Sequence, residues 1–268
     1  MTYYVPDHLR APRIAFNTAN LVGRVTGYQF KLSQWMDQHH ATIALTDESS
    51  WRAICREIAA AGYGAVEIWQ AHADPSVMTA PRTRDFKKIL ADHGLIPVGY
   101  AGAITDETLL LCDELDIPAI NGQFPKDATI DDLNRMTRRS GVRFNLENHP
   151  QKTAAEVLAR IKGGNDMIGV AVDTGWFATQ GADVAREVEA LGSKVRHVHI
   201  KDVKAHGGHE TCPLGTGVAG LDKVFAALKR IGYSGCYSWE DEPEDRNPML
   251  IAEESRKWIQ ARIPAAKP

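Results

Sequence analysis

Glu147, Asp173, His199 and Glu240 are the residues of this chain whose types and spacing point most directly to joint chemistry. They sit in FNLENHP, GVAVDTGW, RHVHIKD and GCYSWEDE; the first three lie 26 residues apart and the fourth follows 41 residues later. Three carboxylates and one imidazole gathered at one place make a site for a hard or borderline divalent cation. Each is preceded by a short β-rich apolar run and followed by helix-forming sequence. One strand, one helix and two loops take about that many residues, so consecutive units would deliver the four groups to a common edge.

The elements that must position them are legible along the whole chain. Eight strand-like runs, at 13–18, 65–69, 96–102, 119–124, 143–148, 168–174, 195–202 and 235–241, alternate with amphipathic segments. Thr153-Ala-Ala-Glu156 reads as a capping box at a helix start. Leu221, Val224, Phe225, Leu228 and Ile231 share one helical stripe that stops at Gly232. Strict β–α alternation argues for parallel strands, and eight units argue for closure. The expected fold is α/β, a single (β/α)8 TIM barrel over residues 1–268 with the barrel proper at 13–260. Residues 19–46 break the rhythm as a long insert after the first strand. At a barrel mouth such an insert is either a lid or a decorative helix on the rim.

Composition narrows the function classes. Net charge is −3 with no basic run, which argues against a nucleic-acid partner. The N-terminal MTYYVPDHLRAPR lacks an apolar signal core, and no stretch approaches the roughly 18 apolar residues of a membrane span. Cys55, Cys112, Cys212 and Cys236 form no CxxC pair and read as reduced thiols. A cytoplasmic protein working on a small molecule is expected.

Side-chain parity lifts the four candidates above chance. Alternate residues of a strand face one way, so His197, His199 and Lys201 share a face, as do Glu147 with His149 and Glu240 with Glu242. If that face lines the barrel, the four ligands form a layer near the mouth, with His149, Lys201 and Glu242 one step further out, where substrate would lie and Glu242 would contact it. Barrel interiors normally hold Val, Ile and Leu, so acids there require a metal or a partner. His197, one layer deeper, is expected as a hydrogen-bonded core residue, and Asp202 as a capping one. Trp69, Trp176 and Trp239 at strand ends would give apolar walls, with Trp35 or Tyr28 of the insert closing over them. His72 and Arg24 are further candidates for substrate contact. His72 reads equally as a surface-loop histidine.

At GYGAVEIW, LEN, VDTG, HVHIKD and PLGTGVAGLDKVFAALKRIGYSGCYSWEDE the chain resembles the sugar phosphate isomerase/epimerase group of xylose isomerase-like TIM barrels. The resemblance covers residues 13–260 and is most specific over 196–242. It implies one divalent ion, Mn2+ first and Mg2+, Co2+ or Zn2+ as alternatives, held by Glu147, Asp173, His199 and Glu240. It also implies chemistry on a sugar, keto sugar or inosose, by proton abstraction next to a carbonyl to give an enediolate. In the group's ketose 3-epimerases, the glutamates matching Glu147 and Glu240 exchange the substrate proton. Homo-oligomers or an accessory subunit fit the same resemblance.

Three departures favour a lyase or dehydratase, such as 3-keto-glycoside elimination or inosose dehydration, over an epimerase. Glu147 is followed by Asn-His-Pro, Trp176 stands where a histidine often follows the aspartate ligand, and Ala205 replaces a sugar-binding arginine. His149 then becomes a candidate general base or acid, or else a histidine that merely orients Glu147. Lys201 would stabilise an oxyanion or pair with Glu242. Two readings from other classes stay beside these. One is a non-catalytic sugar-binding or subunit barrel. The other is a DNA-repair barrel of the endonuclease IV kind, disfavoured by the net charge and by Trp176.

Overall fold

The computed structural model describes residues 14–263. Eight parallel strands pair in chain order and close into a barrel: β1 (Ile14–Asn17), β2 (Ala65–Trp69), β3 (Ile96–Ala101), β4 (Ala119–Gly122), β5 (Arg143–Glu147), β6 (Ile168–Asp173), β7 (Val195–Ile200) and β8 (Cys236–Trp239). Every strand falls inside one of the predicted runs. Arg13 and the two ends of the 1–268 span lie outside the described residues.

The strands hold this order because each crossover buries one helical stripe against the barrel. Helices α1 (Trp35–Leu45) and α2 (Glu48–Ala60) follow β1, and α3 (Ala80–Asp92), α4 (Asp106–Glu114) and α5 (Ile130–Ser140) link β2 to β5. Helix α6 (Ala154–Arg160) leads to β6, α7 (Thr174–Thr179) and α8 (Val184–Leu191) to β7, and α9 (Leu221–Arg230) to β8, with α10 (Ala252–Gln260) last. In α9 the expected stripe buries Leu221, Val224, Phe225 and Leu228, and Gly232 turns the chain at φ 69°. The capping box before α6 is half formed. Thr153 accepts from the Glu156 N–H, but the Glu156 carboxylate takes the Lys152 N–H at 2.7 Å instead of that of Thr153.

Outward-facing Val66, Ile68, Phe144, Val170, Val172, Val198 and Tyr237 join the helices in the main core. Trp239 joins them too, its ring 5.4 Å from that of Phe16, so it does not wall the mouth as expected. Parity accounts for this, because its neighbour Glu240 takes the opposite face.

The insert after β1 is short 3-10 turns plus α1, and it is tied to the loop after β8. Phe30 N–H donates to the Glu244 carbonyl at 3.1 Å, and Leu32 N–H and Lys31 Nζ donate to its carboxylate at 2.7 and 2.8 Å. Deeper in, the Asn20 side chain donates to the Trp239 carbonyl and accepts from Asp241 N–H. No helix among the described residues is long and apolar enough to cross a membrane.

Candidate active site

A cavity of about 450 Å3 opens where the strands end, and Glu147, Asp173, His199, Glu240, His149, Lys201 and Glu242 all line it. Glu147 and Asp173 are the last residues of β5 and β6, His199 lies inside β7, and Glu240 follows β8. His199 Nδ1 is 2.9 Å from Glu147 and 3.1 Å from Glu240. Asn17 Nδ2 of β1 donates to the same Glu240 oxygen at 2.9 Å.

Asp173 is held from both ends. The Asn148 side chain accepts from its N–H and donates to its carbonyl. Its Oδ1 caps α7 by accepting from Trp176 N–H at 3.0 Å. Its Oδ2 is fully buried and makes no hydrogen bond: His149 Nε2 stands 3.2 Å away without hydrogen-bond alignment, and Lys201 Nζ is 3.7 Å off. Lys201 is the one ammonium beside Glu240, Glu242 and Asp173, while Glu147 and Glu67 are met by histidine rings. An orphaned carboxylate oxygen and this surplus of acid are what a divalent cation would satisfy, so the residues fit such an ion.

Lys201 reaches across β7 and β8, with Nζ 2.8 Å from Glu240 and 2.6 Å from Glu242. Of its two expected roles the geometry has the pairing with Glu242. Gly175 makes room for it: a Cβ there would sit 2.6 Å from Lys201 Cγ. Burial opposes the ammonium, but Glu240, Glu242 and Asp173 outweigh it and hold Lys201 well above its usual range. Burial pushes the Glu242 carboxyl up to about 7, with Glu240 adding to it against the pull of Lys201. Burial would also raise Asp173 and Glu147. Lys201 and His149 outweigh it for Asp173, and His149 and His199 for Glu147, so both carboxyls fall below the usual range. His149, half-buried, moves up because Glu147 and Asp173 outweigh its desolvation.

The walls differ in kind. Trp176 stacks on His209 with ring centroids 5.6 Å apart and meets His149 edge-on at 4.2 Å. On the other side Trp35 of the insert packs on Trp69, centroids 5.4 Å apart, next to Leu32. Two expected substrate contacts are corrected. Arg24 makes a two-pronged pair with Glu57 of α2, at 2.7 and 2.8 Å, and does not line the cavity. His72 is buried between Trp51 and Trp69, its Nδ1 3.1 Å from Thr18 Oγ1, and burial pushes its imidazole down to about 3. Tyr28 is also off the cavity, leaving Trp35 as the aromatic side chain of the insert that lines it.

Asp202 orders the neighbouring turn by accepting from the N–H groups of Val203, Gly215, Gly217 and Ala219. Sequence reasoning passed over Glu67, Asn17, Asn121 and His209. For Glu67 a signal existed: an acid in the middle of AVEIW must be paired if its strand is buried on both faces. His209 sits in an irregular loop, where no pattern marks it. Trp35→Ala is expected to raise KM roughly fivefold through loss of about 1 kcal/mol of aromatic contact, with kcat and Tm little changed. Steady-state kinetics and a thermal melt check this; an unchanged KM would leave the insert as rim decoration.

Comparison with known proteins places the chain. The model of the xylose isomerase-like TIM barrel family matches residues 103–262, more than half of the sequence, and the chain belongs to that family. The chain is 34% identical over 97 residues to L-ribulose-5-phosphate 3-epimerase UlaE of Salmonella paratyphi C (strain RKS4594), covering 35% of this chain and 33% of that one. It is 27% identical over 154 residues to inosose dehydratase of Bacillus cereus (strain AH820), covering 48% and 51%. The matches thus span only a third to a half of these curated relatives, both of which are enzymes. A solved L-ribulose 3-epimerase shares the fold at a TM-score of 0.66 and 20% identity, covering 94% of each chain.

Proposed function

We propose that this chain is a divalent-metal-dependent enzyme that removes a proton next to a carbonyl of a keto sugar or inosose and expels a β-oxygen substituent. The observation that carries the reading is the convergence of Glu147, Asp173, His199 and Glu240 on one cavity with His149 against Asp173. A divalent ion on those four groups, Mn2+ in first place, would lend Lewis acidity to the substrate carbonyl. His149 takes the proton from the carbon beside that carbonyl, the electron pair forms the new C=C bond, and the β C–O bond breaks. The same imidazole returns the proton to the departing oxygen, so water or an alcohol leaves. Lys201 holds Glu240 and Glu242 in place and keeps positive charge beside the site. Trp35, Trp69 and Trp176 exclude water from the reacting carbon.

A second reading, 3-epimerisation, is supported by Glu147 and Glu240 standing on either side of His199 Nδ1, as a two-carboxylate proton exchange needs. The likeness to the L-ribulose-5-phosphate 3-epimerase supports it too. One experiment separates them. The Mn2+-loaded protein is incubated in D2O with inososes, 3-keto-glycosides and free ketoses, and the products are read by mass spectrometry and NMR. Elimination is expected: loss of water or aglycone with an unsaturated or dicarbonyl product. Deuterated C3 epimers without loss of mass would sink it in favour of the second reading.

A further inference from the structure

A fully buried acid lies inside the barrel, outside the lining of the cavity. Glu67, in the middle of β2, has no solvent exposure, yet its carboxylate contacts β7. Strand β2 pairs only with β1 and β3, so that contact crosses the barrel interior. Its Oε2 is 2.9 Å from His197 Nε2, and its Oε1 is 3.1 Å from His199 Nε2 and accepts from Asn121 Nδ2 at 2.7 Å. Asn145 Nδ2 donates to Asn121 Oδ1 at 2.8 Å, which commits the amide nitrogen of Asn121 to Glu67. Gly99 leaves the space this needs, because a Cβ there would stand 2.5 Å from Asn121 Nδ2. A buried carboxylate is costly, and here two strands, β4 with Asn121 and β7 with His197 and His199, supply three partners to it.

The two nitrogens of His199 face different partners: Nε2 meets Glu67, while Nδ1 points between Glu147 and Glu240. Carboxylates stand at both nitrogens, but a cation shared by Glu147 and Glu240 would displace a proton from Nδ1, whereas Glu67, away from that cation, would keep one on Nε2. We propose that Glu67 is a positioning residue: it holds the His199 proton on Nε2 and the ring in place, so that the Nδ1 lone pair is offered to a metal ion at the cavity floor. This rests on the reading of His199 as a ligand. Glu67, His197 and His199 are also close enough to hold an ion themselves, with Oε2 at 2.9 Å from His197 Nε2 and 3.1 Å from His199 Nε2, so the number of ions bound separates a second site from a positioning role.

The test uses the full-length protein loaded with Zn2+, with 15N-labelled histidine, and Mn2+ titration by calorimetry. In the wild type the His199 ring should bind Zn2+ through Nδ1 and carry its proton on Nε2, with one ion per chain. Glu67→Gln should weaken Mn2+ binding by about 10–100-fold, the usual effect of removing such a partner. Glu67→Asp, which keeps the buried charge but draws it back, should lie between. Coordination through Nε2, two ions in the wild type with one lost in Glu67→Gln, or wild-type affinity in a folded Glu67→Asp would each overturn the proposal. His199→Ala separates the two levels: metal binding unchanged in that variant removes the ligand reading itself, whereas binding lost there but intact in the Glu67 variants removes only the role of Glu67.

Discussion

His149→Ala is expected to keep its metal and its fold and to lose about 10²–10⁴ of turnover, the usual worth of a positioned general acid–base. The expectation follows from what surrounds the ring. Glu147 and Asp173 belong to the proposed ligand set, and a carboxylate shared with a cation is a weaker base. His149 lies 3.9 Å from Glu147 and 3.2 Å from Asp173, and Trp176 holds its edge. Its upward shift comes from those two carboxylates, whose charge an ion would take up, bringing the imidazole back toward neutral pH. Turnover and exchange of the substrate C–H in D2O are the measurements, with metal content as control. Near-normal turnover would move the proton transfer to Glu147 and Glu240.

Asp173→Ala is expected to empty the metal site and abolish turnover while the barrel still folds. Asp173 contributes the one buried carboxylate oxygen of the cluster that makes no hydrogen bond, and losing its Oδ1 cap on α7 should cost only about 1 kcal/mol of stability. Elemental analysis should find metal in the wild type and little in the variant; equal occupancy would refute the ligand set. An acid titration of the metal-free proteins adds a sign. The Asp173 and Glu147 carboxyls are held below their unfolded values, so they stabilise the fold above about pH 4 and that stabilisation is lost as pH falls through the lower folded values. The variant should therefore lose stability less steeply in that window, read as the dependence of Tm on pH.

Periodicity made the barrel legible because the same alternation of strand-like and helix-like segments occurs eight times along the chain. The four acids and bases were legible for a related reason: a polar residue at the end of an apolar run is costly unless it has work there. What escaped were partnerships across sequence distance. Arg24 lies 33 residues from Glu57, and nothing in either segment announces that α2 will carry the glutamate to it. His72 reads as a loop residue, yet the rings of Trp51 and Trp69 and the hydroxyl of Thr18 enclose it. For Glu67 the acid in mid-strand signalled a partner, but nothing in the sequence said which, since the residues that face it across the barrel lie 130 and 132 positions away.

The fastening of the insert to Glu244 bears on how this chain could be re-engineered. Residues 30–32 contribute the aromatic wall's approach to the cavity, yet they are anchored on the loop that begins at Glu240. Asn20 and Asn17 repeat the link further down, to Trp239, Asp241 and Glu240 itself. A graft of the insert alone from a relative would arrive with its anchor points missing and would tug on Glu240 in the cavity. Segments 17–35 and 239–246 therefore form one exchangeable cassette, discontinuous in sequence but continuous across the seam where β1 meets β8.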